Sequence, residues 1–271
     1  MKIIQRKQQK LLLLAVVVVA LSVIFVSSQT FRESFGWIVW RTLHSVSIAT
    51  TLNKTDPALL FAIGNYYFGD GAYNTEKAEK YFKKALALDP ILQGVHYQLA
   101  RVYFIKGYFV RALAEINKEI ELYPDFGRSH YVRGLIYGYT GQLADAETEF
   151  KAFLVWKPQS WAGNNDLAWI YFQEGKYAEA RDAARAGLKI APTNPWLLNA
   201  LGVALLNLGE KKEAKDVFTQ ALDSSNKMNK NDWGSAYPGN NPMVYGQGFS
   251  QMKESIEENI RLLSSGDTSS I

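Results

Sequence analysis

The chain has 271 residues, no cysteine and three histidines. That excludes disulfides, thiolate metal sites and a cysteine nucleophile, and it leaves little imidazole for metal or acid–base chemistry. Residues 1–28 hold Lys2, Arg6, Lys7 and Lys10 and no carboxylate, so of the 30 basic residues 26 remain against 26 acidic ones, and the net charge of +4 lies ahead of the first apolar run rather than on a nucleic-acid-binding face.

Leu11 to Val26 reads LLLLAVVVVALSVIFV, with Ser22 its only polar residue. Residues 11–28 would make about 27 Å of helix, close to a hydrocarbon core of roughly 30 Å. The expectation is a single-pass signal anchor over 1–28, its amino-terminus cytoplasmic and the rest of the chain extracytoplasmic. Cleavage near Val26-Ser27-Ser28 would instead give a secreted or periplasmic protein. Residues 29–56 are expected to hold a juxtamembrane or capping helix, written over 35–52 as FGWIVWRTLHSVSIATTL. Its Trp37 and Trp40 suit either a membrane interface or the cap of the following domain.

From residue 57 a period of 34 dominates. Pro90, Pro124, Pro158 and Pro192 keep that step, as do Ala112, Ala146, Ala180 and Ala214, with Ala78 before them. Tyr67, Tyr103, Tyr137, Tyr171 and Leu205 follow the period, each three residues after a small one: Gly64, Ala100, Gly134, Ala168 and Gly202. Gly71, Gly107, Gly141, Gly175 and Gly209 form another row, and two extra residues separate Gly71 from Ala78. The small residue lets two helices approach, the glycine ends the first helix in a left-handed cap, and the alanine with the Phe or Ile four later lines the returning helix. Proline starts the next turn. Each unit is thus a helical hairpin whose apolar face a neighbour must cover.

Beyond the last unit, residues 229–249 are rich in Asn, Gly and Pro and are expected as a loop. Trp233, Tyr237, Met243, Tyr245 and Phe249 make it more apolar than a linker needs. Met252, Ile256, Ile260 and Leu263 then mark an amphipathic capping helix within 250–271, ending in a frayed tail.

The stretch LLFAIGNYYFGDG…AEKYFKKALALDP at 59–90 and its repeats resemble the tetratricopeptide repeat (TPR), whose pattern is Trp-x2-Leu-Gly-x2-Tyr, then Ala-x3-Phe, then Pro. Five units are expected over 57–228: 57–92, 93–126, 127–160, 161–194 and 195–228. The family's Trp position holds Leu60, His96, His130, Asn164 and Leu198, unit four has Ala184 for Phe, and unit five has Asn226 for Pro. The resemblance implies an all-α, right-handed superhelical solenoid, here behind one transmembrane helix. It implies a scaffold or adaptor for a protein or peptide; with the charge distribution and the lack of catalytic or metal motifs, no catalytic residues, metal, cofactor or nucleic-acid partner are expected. The alternatives are an accessory subunit presenting substrate to an envelope enzyme or secretion complex, and a glycan-binding module.

In this family the first helix of each hairpin lines a concave groove. Carried over position by position, the resemblance points to Phe61, Asn65 and Phe68 in unit one, and to Tyr97, Arg101 and Phe104 in unit two. Unit three contributes Tyr131 and Tyr139, unit four Asn165, Trp169 and Phe172, and unit five Asn199; Arg128 accompanies the unit-three rings as a groove cation outside those positions. Asparagine there suits a peptide's own N–H and C=O groups. Phe61 stands where the family's carboxylate-clamp type has a lysine, which argues against that mode. His96 and His130 are 34 apart with no third ligand or carboxylate seen in their register, so they are expected to pack in the family's Trp position rather than bind metal. Glu76, Glu79, Glu147 and Glu149 read as a solvated face, and Asn53-Lys54-Thr55 fits the N-glycosylation triplet.

Overall fold

A computed structural model of the chain describes residues 16–19, 28–235 and 242–265. Among these, every regular element is helical, with one isolated bridge between Phe68 and Tyr73. A short pair, α1 (Gln29–Leu43) and α2 (Val46–Leu52), leads into ten consecutive helices. These are α3 (Pro57–Tyr67), α4 (Thr75–Leu88), α5 (Val95–Ile105), α6 (Phe109–Leu122), α7 (Arg128–Tyr139), α8 (Leu143–Trp156), α9 (Trp161–Gln173), α10 (Tyr177–Ile190), α11 (Pro195–Asn207) and α12 (Lys211–Asn226). A six-residue helix, α13 (Lys230–Ser235), and the long α14 (Tyr245–Ser265) follow.

Local chemistry sets the helix ends. Asp56, Asn74, Ser160 and Asn194 accept N–H bonds from the first turns of α3, α4, α9 and α11, with Pro57 and Pro195 in first-turn places that need no donor. Gly107, Gly141, Gly175 and Gly209 close α5, α7, α9 and α11 at φ of +73°, +80°, +73° and +80°. In each case the next residue's N–H reaches the carbonyl of the periodic Tyr or Leu: Tyr103, Tyr137, Tyr171 and Leu205. Gly71 departs from the expected row. It has no positive φ; the left-handed residue is Gly69, at +126°, and the two extra residues carry Asn74 N–H back to the Tyr67 carbonyl at 2.8 Å.

Inside the hairpins, small and large residues compensate. A Cβ built on Gly64, Gly134 or Gly202 would meet the ring of Phe82, Phe150 or Phe218 at 2.4, 3.1 and 2.6 Å. Where the first helix has alanine instead, at 100 and 168, the facing residue is Ile116 or Ala184, and all of these side chains are buried.

Between hairpins, ion pairs tie one second helix to the following turn. Glu79 meets Lys106 at 2.9 Å, Glu147 meets Lys176 at 2.8 Å, and Arg181 meets Glu210 at 3.4 Å. Hydrogen bonds from Lys151 and Lys176 hold the Glu147 carboxyl at about 2.

Several expectations need correction. Residues 35–52 are not one helix: His44, at φ +49°, ends α1 and separates it from α2. Trp37 and Trp40 serve the cap. Trp40 is buried with Ala49, Leu59 and Ile63, and Trp37 Nε1–H donates to Asp56 at 2.7 Å. The single-pass membrane localisation is overturned: among the described residues no helix is long and apolar enough to cross a membrane. Most of the 11–28 segment lies outside the described residues; its described helical part is 16–19, and the next helix, α1, carries Arg32, Glu33 and Arg41. Asn53 is buried and donates to Asp56 at 3.0 Å, so it offers no glycan acceptor. The expected loop contains α13 and the start of α14. Ile256 is fully buried against the last hairpin, with Met252, Ile260 and Leu263 beside it, as a capping helix requires.

Candidate functional site

The first helices α5, α7, α9 and α11 stack side by side and turn one face into a common groove of about 1030 Å³. Steps of four and three along each helix aim the side chains. Tyr97, Arg101 and Phe104 come from α5; Arg128, Tyr131 and Tyr139 from α7; Asn165, Trp169 and Phe172 from α9; and Asn199 from α11. Three rings form a ladder across successive helices: Phe104 to Tyr139 at 5.2 Å between centroids, then Tyr139 to Trp169 at 5.5 Å. Tyr139 is 62% exposed, so the middle rung stays open to a ligand.

The three unit-one residues do not line this groove. Phe68 is 4% exposed and packs edge-on against Phe82, with the Arg101 guanidinium 4.9 Å over its other side. It is core, because the bridge to Tyr73 turns the residue after α3 inward. Phe61 packs on Phe82 and over the backbone of Gly94. Asn65 accepts from Gln98 Nε2 at 2.6 Å and so stands one hydrogen bond behind the groove wall.

Other lining residues escaped the sequence reading. Phe153, Trp156 and Lys157 come from the end of α8 and the turn after it, Asp166 and Trp196 from the first helices, and Trp233 and Met252 from α13 and α14. Asp166 is 7% exposed and accepts the Tyr131 hydroxyl proton and a hydrogen bond from Asn165 Nδ2 at 3.2 Å. Tyr131 is also half-buried against Phe150 and Phe153, so it supports the wall as much as it lines it.

The histidines also differ from expectation. A carboxylate does share their register: His96 Nδ1 pairs with Glu115 at 2.5 Å and His130 Nδ1 with Glu149 at 2.8 Å, each 19 residues on. Glu149 is buried and also binds Arg133 at 2.8 Å, so it is not on a solvated face. These pairs lie within the hairpins, and no group of three or more His, Asp or Glu among the described residues could hold a metal ion. Glu119 is fully buried and accepts the N–H groups of Gly94 and Tyr97 at 2.7 and 3.1 Å, closing the start of α5. Burial pushes its carboxyl up, against the lowering effect of those N–H groups.

Stacked helical hairpins with a shared concave groove define a helical-repeat solenoid. Models of the tetratricopeptide repeat match residues 58–91, 131–195 and 171–228, and the chain belongs to that family. It is 27% identical over 183 residues to the TPR repeat-containing protein YpiA of Bacillus subtilis, covering 64% of this chain and 41% of that one. It is 30% identical over 99 residues to the Hsp70-Hsp90 organising protein of Plasmodium falciparum, covering 36% of this chain and 38% of the relative. The chain therefore spans about two fifths of these curated relatives. Among solved structures it shares its fold with MamA 41-end from Desulfovibrio magneticus RS-1, at TM-score 0.58, 18% identity and coverage of 64% and 97%. It also shares it with YrrB, described as a TPR protein with an unusual peptide-binding site, at TM-score 0.55, 18% identity and coverage of 68% and 93%. The families and folds matched are typically non-catalytic scaffolds.

Proposed function

We propose that this chain is a non-catalytic TPR scaffold of five repeats that captures a segment of a partner protein in the groove between α5 and α11. The observation that carries this is the open ring ladder Phe104–Tyr139–Trp169 inside a cavity of about 1030 Å³. One exposed ring, Tyr139, between two half-buried ones gives a partner a contiguous apolar surface to cover. Arginine beside aromatic rings is the composition of binding hot spots. The peptide-binding site of YrrB, which has the same fold, supports this use of it.

The test is a pull-down from the native cell with the full chain and with Tyr139→Ala/Arg128→Ala. Both side chains are exposed groove residues. The double variant should keep its circular-dichroism spectrum and melting temperature and lose the captured partner. Retention of that partner by a folded variant would refute the groove as the binding surface. Tyr131→Ala is a poor probe, because it also strips a donor from buried Asp166.

A further inference from the structure

The groove is unlike at its two ends. Arg101, Arg128 and Lys157 reach it from α5, α7 and the α8–α9 turn, opposed by the single carboxylate of Asp166, which is buried and already engaged by Tyr131 and Asn165. Elsewhere, Lys106, Arg133, Lys176 and Arg181 meet carboxylates at 2.9, 2.8, 2.8 and 3.4 Å. Arg128 and Lys157 have no ion-pair partner among the described residues. Unmatched cations in a concave, ring-lined surface focus a positive potential.

The other end is apolar and is completed from outside the repeats. Trp233 of α13 and Met252 of α14 face the groove with Trp196 and Val203 of α11. Trp233 is fixed there by a reciprocal clasp. A Cβ on Gly248 would meet the Trp233 indole at 2.3 Å, and a Cβ on Gly234 would meet the Tyr245 ring at 2.1 Å. Each ring thus lies on the other helix's glycine, locking α13 to α14, while Ile256 anchors α14 on the last hairpin. A pre-positioned indole loses little freedom when a ligand arrives.

We propose that the groove takes a bipartite peptide, an acidic stretch held by Arg128 and Lys157 followed by a bulky apolar side chain held against Trp233. The proposal rests on the reading of the groove as a peptide site. Four helices at spacings of about 9 Å span roughly 27 Å, or about eight residues of extended chain.

The experiment pans a phage-displayed library of random dodecapeptides against the full chain and titrates fluorescein-labelled winners by anisotropy. Winners should combine Asp or Glu with Trp, Phe, Leu or Met. Arg128→Glu/Lys157→Glu should weaken them at least tenfold and reduce the salt dependence of binding. Trp233→Ala should weaken them about tenfold. If Trp233→Ala lowers the melting temperature, Trp233→Phe decides: binding severalfold weaker supports the proposal, and unchanged binding overturns it. Winners without acidic enrichment, or binding by folded Trp233→Ala within twofold of the parent, would also overturn it and leave the groove reading standing. Winners that bind Tyr139→Ala/Arg128→Ala as tightly as the parent would show that the groove reading itself fails, and the proposal with it.

Discussion

Gly202→Ala adds one methyl group at the closest approach of α11 and α12. Its Cβ would stand 2.6, 2.7 and 2.9 Å from three carbons of the Phe218 ring, which is fully buried. Against an ordinary carbon contact of about 3.5–4.0 Å, the ring must retreat by about 1 Å. Overpacking of this kind costs about 1–3 kcal/mol. The gain in helix propensity from Gly to Ala returns about 1 kcal/mol. The net expectation is a loss of up to about 2 kcal/mol. At Gly134 the nearest ring atom is 3.1 Å away, so a few tenths of an ångström suffice and Gly134→Ala should be close to neutral. Gly64→Ala, at 2.4 Å from Phe82, should resemble Gly202→Ala. Urea denaturation of the full chain followed by far-UV circular dichroism reads the difference. Pairing Gly202→Ala with Phe218→Ile copies the Ala100–Ile116 contact of the second hairpin and should relieve the clash, giving a coupling of about 1 kcal/mol or more. Equal stability of the Gly134 and Gly202 variants, or additivity within about 0.5 kcal/mol, would refute this account of how the hairpins close.

Gly175→Ala, at φ +73°, should lose about 1–2 kcal/mol in the same assay, because it forces a Cβ into the left-handed region. Tyr131→Phe removes one hydroxyl donor from buried Asp166 and should lower stability by about 1–3 kcal/mol, read as a fall in the urea midpoint. The Glu147 carboxyl, held at about 2 against an ordinary 4.5, contributes stability that is complete above 4.5 and is lost as pH falls towards 2. Glu147→Gln should therefore flatten the acid limb of a melting-temperature profile in that window. Glu119 has the opposite sign: its raised carboxyl favours the fold below the ordinary value and loses that contribution as pH rises through its own pKa.

The 34-residue period carried the hairpins, because each recurring residue answers a local demand: a left-handed cap at Gly107, a close helix contact at Gly134, a filled core at Phe150. It misled at Gly71, where two inserted residues moved the left-handed turn to Gly69. Ten of the thirteen expected groove residues do line one cavity, since spacing on a first helix decides which way a side chain faces. The rest of the groove was not legible, because it depends on curvature rather than period. Trp156 and Lys157 enter from the edge of the array, and Trp233 only after the chain folds back beyond the last hairpin. The His–Glu pairs escaped because their partners lie 19 residues apart on different helices, outside the register of the first helix.

The ion pairs between hairpins bear on what happens if a unit is lost. Glu147 and Arg181 occupy equivalent places, and so do Lys176 and Glu210, yet the signs are exchanged. A chain spliced to omit residues 161–194 would keep the period and every structural glycine around the junction. It would nevertheless set Glu147 opposite Glu210, carboxylate against carboxylate. The units are therefore not interchangeable bricks. The exchanged polarity keys units three, four and five to one another, so a recombination event that removes unit four in perfect frame still leaves a mismatched seam.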